Sequence, residues 1–232
     1  MITQHISKLF FIDIETVGIS SSLSVLETEH PRLFKIFTSS IDWFNKRFPE
    51  TVNMTNSEIY LNRAALVPEF GRIVCISMGF ITPNGELKKL SFYGPDEEDI
   101  LKKVNESFNK VIKLEYHICG HNIKNFDIPY IIKRMIINNI LPSKLLPSYD
   151  TKPWEIKAVD TMEIWKQNGT GLCSLELICS SLNIPSSKNG EVTGNVVHEN
   201  FYEKNNYVEI MEYCERDVDN VVEIIKKLKE LN

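Results

Sequence analysis

The chain has 232 residues, with 26 Lys or Arg against 31 Asp or Glu and a formal net charge of −5. That length suffices for one large domain with a substantial core, and the negative balance argues against bulk electrostatic gripping of nucleic acid, although Lys124 with Lys133 and Arg134 remain a local basic cluster able to face a phosphate backbone. No apolar run approaches the roughly 20 residues of a membrane span, MITQHISKLF lacks a leader pattern, and five scattered cysteines without a Cys-x-x-Cys spacing suggest neither a disulfide framework nor a zinc knuckle, so a cytoplasmic protein with no membrane association is expected.

In chain order, the aromatic and β-branched run FFIDIETVGIS predicts a first strand that ends near Gly18. Residues 20–68 predict a helical insertion, closed by Pro68, between two strands of one sheet. RIVCISMGFI, the turn NGE and LKKLSFYG predict a strand meander. PDEEDILKKVNESFNKVIK predicts a helix with acids in its first turn, lysine at its end and an apolar stripe. YHICGHN predicts a strand running into a loop, and FDIPYIIKRMIINN a helix capped by Asp127 with Pro129 in its first turn. EIKAVDTMEIW is expected as a strand, with Trp154 and Trp165 flanking it as packing residues and Asp160 as a cap or a support for a nearby site. A helix over SLELICSSLNI, a polar loop over SSKNGEVTGNVVHEN and a last long helix complete the chain. The whole predicts one α/β domain, residues 1–232, with a mixed sheet flanked by helices and no internal repeat.

Four acids stand apart from this frame. Asp13 and Glu15 alternate with apolar residues on the first strand, so both point to one face with Cα atoms about 7 Å apart. Such a pair is either solvated at the strand end or held by a divalent cation with oxygen ligands. Asp127 lies at a strand-loop-helix junction, where it serves as a helix cap or a ligand. Tyr213 precedes Asp217 by one helical turn, which places phenol and carboxylate on one face about 6 Å apart, while Asp219 faces elsewhere.

The series D-x-E, N-x-x-x-F-D and Y-x-x-x-D, here Asp13-Ile14-Glu15, Asn122 to Phe126-Asp127 and Tyr213 to Asp217, resembles the three exonuclease motifs of the DEDD superfamily in its tyrosine-bearing (DEDDy) branch. YLNRAALVPEFGRIVCISMGF, GHNIKNFDIPYIIKR and NIPSSKNGEVTGNVVHENFY narrow the resemblance to stand-alone predicted 3'-5' exonucleases related to the proofreading domain of family B DNA polymerases, over nearly the entire chain.

The resemblance implies a ribonuclease H-like fold and a 3'-to-5' exonuclease that hydrolyses phosphodiester bonds with two ions of Mg2+ or Mn2+, about 3.5 to 4 Å apart. In that scheme Asp13 bridges both ions, Glu15 and Asp217 complete one, Asp127 holds the other, and Tyr213, at its usual pKa of about 10, orients the attacking water. Substrate contacts are expected from the Thr16 backbone and from Phe126 or Leu172 packed on a base, although the apolar neighbours of Phe126 alone favour a core residue. Asn122 positions substrate or holds the loop to Asp127, and Lys188 is a substrate contact or an ordinary loop lysine. His198, in the same loop, is left without a catalytic role because Tyr213 already fills it. The polymerase relation points to single-stranded DNA 3' ends as substrate. The alternatives are a ribonuclease or small-oligonucleotide exonuclease on the same fold, and a non-catalytic nucleic-acid-binding module, which has no reason to keep four mutually repelling acids.

Overall fold

A computed structural model describes residues 5–148, 150–167, 169, 171, 173–185 and 194–230. The elements run β1 (Leu9–Gly18), α1 (Leu23–Glu29), α2 (Pro31–Ser39), α3 (Ile41–Arg47), α4 (Asn56–Arg63), β2 (Gly71–Ile81), β3 (Leu87–Tyr93), α5 (Glu97–Val111), β4 (His117–Gly120), α6 (Asp127–Ile137), β5 (Ala158–Asp160), α7 (Thr161–Lys166), α8 (Leu175–Ser181), α9 (Gly194–Tyr202) and α10 (Tyr207–Glu230).

The five strands form one mixed sheet in the order β3-β2-β1-β4-β5. The β1/β2 and β2/β3 pairs are antiparallel, while β4 joins β1, and β5 joins β4, in parallel. The β2–β3 hairpin turns at Gly85, whose φ of 84° suits a residue without Cβ.

Alternation along β1 sorts the two faces. Phe10, Ile12 and Ile14 join Ile100, Leu101, Val104 and Phe108 of α5 and Ile128, Tyr130, Ile131 and Met135 of α6 in the larger core. Leu9 and Phe11 pack on Val218, Val221, Val222 and Ile225 of α10. Burying each such side chain is worth about 1.5–3 kcal/mol, which makes the three-layer arrangement the natural outcome of the pattern.

Residues 20–68 are helical as expected and hold their own aromatic core, in which Phe37 meets Phe44, Tyr60 and Phe70 at 5.0 to 5.3 Å. Tyr60 locks this insertion to the end of β1: its hydroxyl receives the Ser20 N–H at 2.9 Å and donates to the Ser20 carbonyl at 3.0 Å.

Several expectations need correction. The strand expected over EIKAVDTMEIW stops at Asp160, because the Asp160 carboxylate accepts the Met162 N–H at 2.9 Å and starts α7 there. The part of the polar loop from Gly194 onward is helix α9. Trp165 packs as expected, whereas Trp154 is 77% exposed. The basic cluster is also dispersed. Lys124 pairs with Glu163 at 2.7 Å and Lys133 with Glu69 at 2.9 Å. Arg134, 4% exposed, grips Glu97, donating from Nε to Oε1 at 2.8 Å, and cannot meet a phosphate. Glu97 also receives the Ile73 N–H at 2.6 Å and the Asn138 amide at 3.1 Å, so this pair is a fully hydrogen-bonded tie between α5, α6 and β2.

Candidate active site

The sheet order brings the carboxyl ends of β1 and β4 together, where ligands collect in open α/β sheets. On β1, Asp13 and Glu15 follow Leu9 and Phe11 on the α10 face. A bulge follows immediately: Glu15 pairs with Cys75 but Thr16 pairs with Ile73, leaving Val74 of β2 outside the register. The Val74 carbonyl is taken by the Gly94 N–H at 3.0 Å instead. From the facing helix, Asp217 completes a cluster in which one carboxylate oxygen each from Asp13, Glu15 and Asp217 lies within 4.8 Å of the others.

The helix placement follows from α10 itself. Cys214 points inward with Val218 and Val221, and its thiol donates to the carbonyl and the carboxylate Oδ2 of Asp13, both at 3.3 Å. Tyr213 and Asp217 flank that inward stripe on neighbouring turns. The Tyr213 phenol hydrogen-bonds Asp217, and burial, followed by the charges of Glu15, Asp217 and Asp13, pushes it far above the ordinary tyrosine range. It therefore stays neutral throughout ordinary pH, a stronger departure than the near-normal phenol expected from sequence.

Asp127 arrives by a different route. Pairing of β1 with β4 ends at Phe11 and Cys119, and β4 gives way after Gly120 to the turn that precedes α6. A Cβ at Gly120 would stand 2.7 Å from Ile123 Cδ1 and 2.8 Å from the Ile12 carbonyl, so the absence of a side chain lets this turn close on β1. Phe126, not Asp127, occupies the cap position, without a side-chain capping bond; Asp127 is the first helical residue. Burial pushes its carboxyl up to about 7, its own N–H and that of Ile14 pull the other way, and Asp160 and Asp217 add to the rise. The Ile14 bond sets Asp127 against β1 between Asp13 and Glu15. Asp13 in turn is raised well above the carboxylate range by burial first, then by Asp217, Asp127 and Glu15, with the Cys214 thiol opposing.

Asp160 holds the turn in place. Its buried carboxylate accepts the Asn122 N–H at 2.9 Å and the Lys124 N–H at 3.2 Å besides capping α7. Asn122, with φ of 54°, builds the same turn: its carbonyl receives the Asn125 and Phe126 N–H groups and its side chain the Asn125 amide at 3.2 Å. Phe126 is half-buried and leans on Tyr130 at 5.3 Å, beside the larger core. The Thr16 hydroxyl is turned to the insertion, donating to the Ala65 carbonyl at 2.9 Å. Leu172 and Lys188 lie outside the described residues.

Arg216 and Cys214 escaped the sequence reading. Arg216 lies three residues after Tyr213, with its guanidinium 5.9 Å from the phenol ring centroid, and forms no ion pair among the described residues. The i, i+3 spacing was the available signal for it; for Cys214 it was the inward helical phase shared with Val218 and Val221.

A family of predicted 3'-5' exonucleases related to the exonuclease domain of PolB matches residues 66–225, more than two-thirds of the chain. The chain belongs to this family. The matched span contains Asp127, Tyr213 and Asp217; Asp13 and Glu15 precede it. The fold is similar to the structure of the family B DNA polymerase from the hyperthermophilic archaeon Pyrobaculum calidifontis, with a TM-score of 0.60 and 15% identity over 95% of this chain and 24% of that one. The chain thus spans about a quarter of the polymerase it resembles, and the likeness establishes the ribonuclease H-like fold. No curated protein matches it. No helix among the described residues is long and apolar enough to cross a membrane.

Proposed function

We propose that the chain is a two-metal 3'-to-5' exonuclease acting on single-stranded DNA ends, with residues 1–232 forming a single exonuclease domain. The observation that carries this reading is the convergence of Asp13, Glu15 and Asp217 within 4.8 Å, from a strand and a helix some 200 residues apart in sequence. Membership in the exonuclease family supplies nucleic acid as the substrate.

The donor set suits hard divalent cations. Every donor is a carboxylate oxygen, and the acids raise one another's pKa, which added positive charge relieves. Asp13, Glu15 and Asp217 would hold one Mg2+ or Mn2+, and Asp127 a second with Asp13 shared. When bound, such ions make water more acidic and offset charge developing on the phosphate.

The remaining work falls to the chain's own groups. Tyr213, a neutral phenol, orients the attacking water by hydrogen bonding and does not accept its proton. Arg216, beside that phenol, meets a phosphate of the bound strand, and Cys214 fixes the Asp13 carboxylate. The relation to a polymerase-associated exonuclease favours DNA, unpaired at its 3' end.

The test is degradation of a 5'-labelled single-stranded DNA oligonucleotide, with an RNA copy alongside, in Mg2+, Mn2+ and EDTA. Wild type is expected to give a metal-dependent ladder of shortening products that Asp13→Ala and Asp217→Ala both lose. A folded, metal-replete wild type that cuts neither oligonucleotide overturns the catalytic reading; preferential cutting of the RNA reassigns the substrate.

A further inference from the structure

The insertion carries an exposed aromatic and basic face that its own core does not require. On α3, Trp43, Lys46 and Arg47 are spaced i, i+3 and i+4 and so share one face. Trp43 is 49% exposed. Its ring meets Phe44 at 5.1 Å and Phe48 at 6.5 Å, both near perpendicular, so neither ring stacks parallel to the indole. Trp154 differs, since the Lys152 ammonium sits 5.4 Å from its ring centroid.

The charges are unbalanced in the same place. Lys46 and Arg47 are exposed and form no ion pair among the described residues, and the same holds for Arg32 and Lys35 on α2. The Arg47 guanidinium lies 5.6 Å from the Phe48 ring centroid. Arg63 approaches that ring too, at 5.5 Å, and occupies the nearby Glu50 at 2.6 Å. Asp42, in the first turn of α3, precedes Lys46 by one helical turn but forms no ion pair among the described residues. Two exposed cations that form no ion pair among the described residues, on one helix face with an exposed indole, complement a phosphate backbone with unpaired bases.

The root of the insertion adjoins the acids. Ile19 N–H donates to the Phe70 carbonyl at 2.8 Å, and Thr16 is tied to Ala65. Glu15 precedes Ile19 by four residues, about 13 Å of strand.

We propose that this face is a second contact for single-stranded nucleic acid, with a base stacked on Trp43 and phosphates met by Lys46 and Arg47, upstream of the nucleotide being removed. The proposal rests on the exonuclease reading and deepens it: the insertion makes the enzyme length-sensitive. Long strands reach the face; a trinucleotide held at the acids does not.

Binding of dT20 in EDTA, followed by tryptophan fluorescence, tests it without turnover. Quenching is expected in wild type and in Trp154→Phe and should be lost in Trp43→Phe. Trp43→Ala is expected to bind dT20 about tenfold more weakly. The double variant Lys46→Gln/Arg47→Gln, wholly on the surface, should flatten the log–log salt dependence by about 1.4. Cleavage of dT3 should keep its kcat/KM in all these variants. Quenching retained in Trp43→Phe, or dT20 affinity and salt dependence unchanged in the double variant, overturns the proposal. Failure of the exonuclease reading is distinct: wild type would then cut neither dT3 nor dT20, whatever the quenching.

Discussion

Replacing Asp127 by Asn should stabilise the metal-free protein while removing its function. Two effects compete at this position. An acid in the first turn of α6 gains about 0.3–1 kcal/mol from the helix dipole. Against that, burial and the neighbouring acids raise the carboxyl from 3.8 to about 7, which at 1.36 kcal/mol per unit amounts to about 4 kcal/mol. Burial and repulsion win. Because the folded-state pKa lies above the unfolded one, the native state holds a proton that the unfolded chain has released between pH 4 and 7, so stability falls as pH rises through that window and is level above it. Asp13, raised for similar reasons, adds to the fall. The Asn side chain keeps an oxygen for the Ile14 and Asp127 N–H groups, so little is lost in exchange. In EDTA at pH 8, Asp127→Asn should therefore melt higher by roughly 10 °C, taking about 2–4 °C per kcal/mol for a chain of this size, with the gain vanishing near pH 4. Added Mg2+ should stabilise wild type, by about 2.7 kcal/mol at a hundred times its dissociation constant, and the variant less. A variant no more stable than wild type in EDTA at pH 8 refutes the idea that burial, with like charge behind it, dominates this residue.

Tyr213→Phe should lower kcat about 100-fold while Mn2+ affinity stays within a few-fold; the pH–rate profile from pH 6 to 9 should keep its shape, since the phenol does not titrate there. Arg216→Ala should raise KM for single-stranded DNA with kcat nearly intact, and steady-state kinetics over a salt series should show the slope reduced by about 0.7 for one lost phosphate contact. Asp160→Ala strands the N–H groups of Asn122, Lys124 and Met162 and should cost about 2–4 kcal/mol in denaturant unfolding.

The strands, the insertion and the long last helix were legible because their signals are local: alternation, a run of caps and a 3.6-residue stripe. Asp13, Glu15, Tyr213 and Asp217 were legible for the same reason, each pair sharing a face at strand or helix spacing. What the sequence hid depends on contacts between distant segments. Arg134 reads as a surface cation on α6 until Glu97, 37 residues earlier, is placed against it. Asp160 ends a strand that looks apolar well beyond it, because its carboxylate prefers three backbone N–H groups to continued pairing. Asp127 looks like a cap, yet the turn places Phe126 in that position. Nothing in GHNIKNFDIPY announces that Ile14, more than a hundred residues away, will donate to the Asp127 carboxyl.

These supports differ in kind across the site. Asp13, Glu15 and Asp217 stand on β1 and α10, elements joined through fully buried Leu9, Phe11, Cys214 and Val221. Opening them means opening the core, close to global unfolding. Asp127 instead begins a helix behind a six-residue turn held by the Asp160 carboxylate and by bonds of Asn122 within the turn itself. Its position can be lost by a local opening that leaves the sheet intact. Amide exchange in the metal-free protein should accordingly be faster at Asn122 and Lys124 than at Ile12 or Cys214, and divalent cation should slow the turn most. Of the four acids, Asp127 should thus be the one whose placement responds most to a bound cation, while the cluster of three is built by the fold.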